Sequence, residues 1–264
     1  MTTLSFAAAD SATMLRRNLK RMQRYPAMTL MIIVVPVIFL LLFVYVFGGT
    51  LGAGLGHLGG GRAAYLRYVT PGIILLTLGT QATSTAVSVA MDMSSGIIAR
   101  FRTMAIARVS VLTGHVLGSM IQALLGIALV IGIAAAMGFR TSTGPLSWLA
   151  AAGLLVLIAF AITWLSVALG LVSGSAETAS NLPMFLMILP FLGSGFVPTQ
   201  TMPVGLRWFA EYQPFTPVIQ TVRGLLIGGP VGDNAIMAIA WGVGIAGLSY
   251  LWARRLYRRP MQVK

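Results

Sequence analysis

From Ala27 to Phe47 the chain reads AMTLMIIVVPVIFLLLFVYVF, without one charged side chain. A hydrocarbon core about 30 Å thick takes about 20 helical residues to cross. Further runs with charge only at their ends extend over Thr70–Met91, Val109–Gly138, Leu146–Val172, Thr178–Val197 and Asp233–Ala253. The pattern predicts six spans. Over the 264 residues 57% are hydrophobic and 9% charged, where a soluble domain carries about 25% charged residues. So few charges cannot cover a soluble fold of this size, which argues against a soluble enzyme or binding module. The first run follows a basic stretch, as a secretory signal does. It is longer than an h-region of about 7–15 residues and no A-x-A site follows, so it is expected to be retained, with Pro36 bending it. The 30 glycines suit helices packed closely in lipid.

Basic residues orient the spans. The chain has 18 Lys+Arg, 5 Asp+Glu and a net charge of +13. They are scattered between apolar runs and do not line one face, so they read as topology signals and headgroup contacts rather than a nucleic-acid surface. With the N-terminus in the cytoplasm, only Arg62, Arg67, Arg140, Arg207 and Arg223 fall outside. The positive-inside rule then places both termini in the cytoplasm of a multi-pass protein of the inner, cytoplasmic membrane. The chain has no cysteine, which removes disulfides, thiolate metal sites and cysteine nucleophiles.

The expected organisation is a cytoplasmic N-terminus over 1–26, a six-helix transmembrane domain over 27–253 and a basic cytoplasmic tail over 254–264. Within the N-terminus Leu15, Leu19 and Met22 recur at helical spacing among Arg16, Arg17, Lys20, Arg21 and Arg24. This pattern predicts an amphipathic helix in the headgroup plane; the alternative is an unstructured basic leader. The cytoplasmic loop Asp92–Arg108 carries an apolar stripe of Ile97, Ile98, Phe101 and Met104, flanked by Arg100 and Arg102. Such a stripe either rests on lipid or docks into a partner's groove. Between the last two spans, Pro198–Gly232 offers two short helices, Val204–Tyr212 and Thr216–Ile227. With Trp208, Phe209, Tyr212 and Phe215 they read as a re-entrant or interfacial cap, in which Arg207, Glu211 and Arg223 are able to pair.

Chemistry of its own is hard to find in the chain. The only lysines are Lys20 and Lys264, and no G-x-x-x-x-G-K-[ST] occurs, so it holds no P-loop. His57 and His115 form no H-E-x-x-H. For His115 the choice is a polar helix residue bonded to a neighbour or a ligand or proton relay. Asp92, Glu177 and Asp233 all sit at span ends, whereas ion-coupled carriers commonly keep an ionisable group at mid-membrane. The second span does carry a polar stripe, Thr77, Gln81, Ser84 and Ser88, with Thr80, Thr83 and Thr85 beside it. That stripe either bonds a neighbouring helix or lines a substrate pathway. Asn181, Pro183, Pro190 and Ser194 give the fifth span means to bend and expose backbone. An ion-coupled secondary transporter or channel acting without an ATPase is the alternative function, and a membrane-embedded enzyme lacks any acid–base or metal constellation.

DMSSGIIARFRTMAIARVSVLTGH, Asp92–His115, resembles the loop-to-third-span signature of ABC-2 type permeases, especially the daunorubicin/doxorubicin-resistance branch. That branch reads D-x-x-x-G-I-I-D-R-F-R-x-[LM]-P-I-A-R-x-x-V-L. Asp92, Gly96, Ile97, Ile98, Arg100, Phe101, Arg102, Ile106, Ala107, Arg108, Val111 and Leu112 match, while Ala99 stands where an acid is common and Ala105 where proline is common. A second stretch, Ser175–Gly229, is similar to the family's fifth span and outer helices, with F-V-P-x-x-x-M-P and Q-P-x-T-P segments.

The resemblance implies an all-α integral membrane protein of the type V exporter kind. It has six transmembrane helices, an N-terminal interfacial amphipathic helix, a cytoplasmic coupling helix and short outer re-entrant helices. It implies a permease subunit that moves a lipophilic drug, antibiotic or lipid. Its partners would be a second permease protomer (identical or related), membrane lipid and two copies of an ATP-binding cassette ATPase. ATP and Mg would bind on that partner and no cofactor on this chain. Asp92, Gly96, Ile98, Arg100, Phe101, Arg102 and Arg108 would form the ATPase-coupling contact, with Glu177 in a second, smaller one. Arg100 and Arg102 would supply charge-assisted bonds. The pathway would run between protomers along spans two and five, on Thr77, Gln81, Ser84, Ser88, Asn181 and Ser194.

Overall fold

A computed structural model describes residues 16, 26–55, 60–94 and 108–258. Helix α1, Pro26–Leu42, continues through a π-helical turn, Phe43–Phe47, into α2, Gly48–Ala53. Then follow α3 (Gly61–Ser94), α4 (Arg108–Ala136), α5 (Pro145–Val172), α6 (Ala176–Asn181), α7 (Met184–Ile188), α8 (Val204–Tyr212), α9 (Phe215–Arg223) and α10 (Gly232–Arg258). All regular structure among the described residues is helical. Five helices in it are long and apolar enough to cross a membrane: the first from Ile33 to Ala53, then α3, most of α4, α5 and α10. The expected amphipathic N-terminal helix, His57 and most of the 92–108 loop lie outside the described residues.

Two expectations are corrected. The second span starts at Gly61, well before Thr70, and Pro71 lies inside the helix. The added turns belong to the core: Ala64, Tyr65, Leu66, Tyr68 and Val69 are all buried, and the Tyr65 hydroxyl donates to the Phe196 carbonyl at 3.0 Å. Thr178–Val197, expected as one span, is not one helix. Ser175 caps α6 by accepting from the Thr178 N–H at 3.1 Å; Pro183 separates it from α7, and 189–196 is a run of turns. Pro183 and Pro190 bring no N–H to a helical ladder, and Gly193 and Gly195 give the turn room. The two short cap helices expected from sequence are present; the second, α9, runs on into a π-helical turn at Gly224–Gly228.

Helix α3 organises the rest. It packs against α1, α2, α4, α5, α6, α7 and α9, while α10 docks on α5 and α9. In lipid, helices associate through close packing because burial from water no longer drives them together, and the seams of α3 are close. A β-carbon at Gly72 would lie 2.5 Å from the Gly195 carbonyl oxygen, and one at Gly170 of α5 would lie 2.6 Å from the Ala86 oxygen. Phe43 of the π-helical turn, Phe191 and Phe196 stack beside this seam, with centroids 4.2 Å apart for Phe191–Phe196 and 4.5 Å for Phe43–Phe196. Trp164 of α5 meets Tyr250 of α10 edge-on at 5.0 Å. Outward, Leu30, Val46, Leu149, Ile236 and Leu248 are exposed, the lipid-facing surface that a chain with few charges requires.

The spans alternate in direction, and the contacts sort the connections to two ends. Asp92, His115, Ala179 and Tyr257 gather at one end; Tyr65, Phe196, Ser142, Ile227 and Arg223 gather at the other, the cap end. Gly72→Ala adds helix propensity, yet is expected to lower stability by about 2 kcal/mol because backbone must move. Gly132→Ala, whose added carbon meets nothing within 4 Å, is expected to be neutral or stabilising. Thermal unfolding of both variants in detergent checks the pair.

Candidate functional site

At the end of α3, Asp92 is brought to His115 of α4: Oδ2 and Nε2 are 3.1 Å apart and both side chains are buried. A carboxylate out of water must be paired, since its desolvation costs several kcal/mol. Val89, Leu112, Val116, Trp164, Val167 and Tyr257 form one hydrophobic cluster at this end. Of the two sequence readings for His115, the structure supports the polar residue bonded to a neighbour. Arg108 opens α4. Glu177, exposed in the first turn of α6, lies at the same end, because Ala179 packs on Ala86 and Ala90 of α3. Thus Asp92, Arg108 and Glu177 share one end of the bundle. Gly96, Ile98, Arg100, Phe101 and Arg102 lie outside the described residues.

The hydroxyl stripe of α3 divides in two. Thr77 and Gln81 are buried. Thr77 donates to the Ile73 carbonyl at 2.9 Å and faces Gly126 of α4, whose added β-carbon would meet the Thr77 methyl at 3.1 Å. Gln81 Nε2 donates to Gln122 Oε1 of α4 at 3.1 Å, and Thr85 returns its hydroxyl to the Gln81 carbonyl at 3.0 Å. This half is interhelical bonding. Gln122 was missed from sequence, although it is the one amide side chain in the fourth helix's apolar run. Ser84 and Ser88, with Thr80 and Thr83, are only half-buried and lie on the adjoining face. Asn181 is exposed at the end of α6, and Ser194 is fully buried at the cap end. The six residues expected to line a pathway therefore occupy an interhelical seam, a partly open face, the exposed end of α6 and the buried turns at the cap.

The cap is held by polar groups that substitute for the missing helix in 189–196. Gln213 donates to the Leu189 carbonyl at 3.0 Å and to the Thr216 hydroxyl at 3.1 Å, and accepts from the Phe215 N–H at 3.2 Å. Thr216 accepts from the Ser194 N–H at 3.2 Å. Arg207 pairs with Glu211 one turn on at 2.8 Å, an exposed pair of little energetic weight. Arg223 does not join that pair, against the sequence expectation. It turns inward to the carbonyls of Tyr68 and Ser194, because Tyr68 sits on the buried face of α3 beneath α9. Trp208 and Tyr212 stay exposed on α8, as side chains at a membrane–water boundary would be.

The sequence matches the ABC-2 type transporter family over residues 11–227. The chain belongs to that family. It is 28% identical over 263 residues to a daunorubicin resistance ABC transporter permease protein, DrrB1, of Streptomyces coeruleorubidus, covering 96% of this chain and 88% of the relative. It is 26% identical over 213 residues to a probable doxorubicin resistance ABC transporter permease protein, DrrC, of Mycobacterium tuberculosis strain H37Rv, covering 81% and 75%. For an ABC-2 transporter, the Asp92 end is notable because the buried pair joins the two helices that flank the loop carrying the family-like signature. Among the described residues, no group of three or more His, Asp or Glu side chains is placed to hold a metal.

The Asp92–His115 pair yields a double-mutant cycle. Asp92→Leu or His115→Leu alone removes one side of this buried contact and is expected to cost about 3 kcal/mol. The double variant is expected to lose clearly less than the sum of the two. Unfolding in mixed micelles of detergent and SDS measures all three.

Proposed function

We propose that this ABC-2 protein is the permease subunit of an ATP-driven exporter that moves a lipophilic drug, antibiotic or lipid across the cytoplasmic membrane. The family match over most of the chain is the observation that carries this reading. Two permease protomers, identical or related, would combine with two copies of an ATP-binding cassette subunit that holds ATP and Mg. The relatives' names attach daunorubicin and doxorubicin resistance to those proteins, and an amphipathic, lipophilic cargo of that kind is the class proposed here.

In this reading the five long helices and the broken 176–197 segment make six crossings, with both termini and the Asp92 end in the cytoplasm and the cap outside. Residues 1–26 form the cytoplasmic N-terminus with its interfacial helix, 27–253 the transmembrane domain and 254–264 the basic tail. The 92–108 loop seats in a cleft of the ATPase. Gly96, Ile98 and Phe101 supply packing and turn, and Arg100, Arg102 and Arg108 supply charge-assisted bonds. Glu177 makes the second contact. Asp92, held by His115, ties this foot to α3 and α4, so that a push on the loop moves rigid helices and not one slack connection. The half-open Ser84 and Ser88 face with Asn181 borders the cargo route between protomers. Thr77 and Gln81 hold α3 to α4 behind it, and Ser194 belongs to the outer closure.

The test is transport into inverted membrane vesicles containing the chain with its ATP-binding partner. A fluorescent lipophilic drug is expected to accumulate only with hydrolysable ATP. Arg100→Glu with Phe101→Ala is expected to cut accumulation at least tenfold while both subunits remain in the membrane. Accumulation at an undiminished rate in vesicles lacking the partner would contradict the reading and select an ion-coupled carrier.

A further inference from the structure

Around Arg223 one side chain joins three separate elements. Its Nη2 donates to the Tyr68 carbonyl of α3 at 2.9 Å and to the Ser194 carbonyl at 2.7 Å; its Nε also donates to the Tyr68 carbonyl, at 3.3 Å. Nη1 donates to Gln220 Oε1 on its own helix at 3.1 Å. The guanidinium lies over the Tyr68 ring, with Cζ 3.8 Å from the centroid, a cation–π contact. The two backbone acceptors are adjacent because α3 and the 189–196 turns touch backbone to backbone at Gly72 and Gly195. The Ser194 carbonyl lies in a stretch with no continuous helical ladder, so it needs an outside donor. On the other side of Arg223, the π-helical turn Gly224–Gly228 is held by Thr143 and Ser142, which donate to the Leu226 and Ile227 carbonyls.

No carboxylate among the described residues pairs with this cation; Glu211 is taken by Arg207. Its acceptors are neutral carbonyls. A guanidinium fork suits such bridging because its N–H groups are set in one plane at fixed angles. Bonds to carbonyls are exchangeable, since water or the oxygens of a passing cargo offer equivalent acceptors, whereas a desolvated carboxylate partner would resist separation. The residues that supply the carbonyls also carry buried hydroxyls without partners, Tyr68 OH and Ser194 Oγ. A closed junction with spare donors and exchangeable bonds has the properties of a contact built to be remade.

We infer that Arg223 is the clasp of the outer closure: a positioning residue that holds the cap helix α9, the second span and the broken fifth segment together over the cargo route. Which side is outer, and that a route lies beneath, rest on the permease reading. The clasp itself rests on the contacts above.

The absence of cysteine makes a clean test possible. Val222→Cys places a lone thiol at a fully buried position of α9, and Ala161→Cys places one in the buried face of α5 as a control. Each is combined with Arg223→Gln or Arg223→Lys in the full chain, in nanodiscs that expose both membrane faces, and reacted with a charged maleimide. Arg223→Gln is expected to speed labelling at Val222→Cys at least tenfold and to leave Ala161→Cys unchanged. Removing the neighbouring cation makes the thiol less acidic and would by itself slow the reaction, so a faster rate reports opening. Arg223→Lys keeps the charge without the fork and is expected to stay within threefold of the Gln variant. An unchanged rate at Val222→Cys, an equal rise at Ala161→Cys, or full protection by lysine each overturns the clasp. A parallel arm adds the ATP-binding partner with ATP and Mg to the Arg223 protein, where the permease reading expects Val222→Cys labelling to rise. Silence in that arm counts against the permease reading, and the nucleotide-free comparison still decides the clasp.

Discussion

The fold depends on α3 being buried along most of its length in a protein whose solvent is lipid. A helix in that position gains little from hydrophobicity, because the tails around the protein are as apolar as its own leucines. What holds its neighbours is backbone approach at Gly72 and Gly170 and the polar bonds that only a water-poor interior makes worthwhile. The same burial explains why the first and last long helices expose Val46, Ile236 and Leu248: they face the membrane, and α3 faces protein.

Both ends of α3 carry a polar junction, and they differ in kind. At the Asp92 end a carboxylate and an imidazole are buried together, a pairing expensive to separate. At the cap end a cation is distributed over neutral carbonyls and a phenol ring, a pairing easier to exchange. Between them the Gln81–Gln122 bond fixes α3 to α4. In the permease reading proposed above, this asymmetry would put a stiff joint at the end that meets the ATPase and a remakeable one at the end that opens.

Much of this was legible in the sequence, where single-helix statistics suffice. Runs without charge fell on α1, α4, α5 and α10, and the two cap helices followed from prolines and aromatics. The start of α3 was misplaced because the uncharged run begins only after Arg67; what carries the helix back to Gly61 is Tyr65 and Tyr68 packed into the core, which no local pattern records. The fifth segment read as one span by hydropathy, yet Pro183 and Pro190 with Gly193 and Gly195 break it, and partners on other elements, Gln213 and Thr216, satisfy its backbone. Arg223 was expected to meet Glu211 because opposite charges pair on paper. Its real acceptors, two carbonyls remote in sequence, become visible only once the chain is folded.

We propose that this chain draws its energy from another protein through the 92–108 loop. The most direct measurement is a crosslink from a single engineered thiol, Arg102→Cys, in the otherwise cysteine-free chain, made in native membranes containing the ATP-binding partner. The expected result is one dominant product, with the mass of the permease joined to the ATP-binding subunit and a yield that changes with nucleotide. Adducts with phospholipid alone, obtained while the ATP-binding subunit is present in the same membranes, would contradict it.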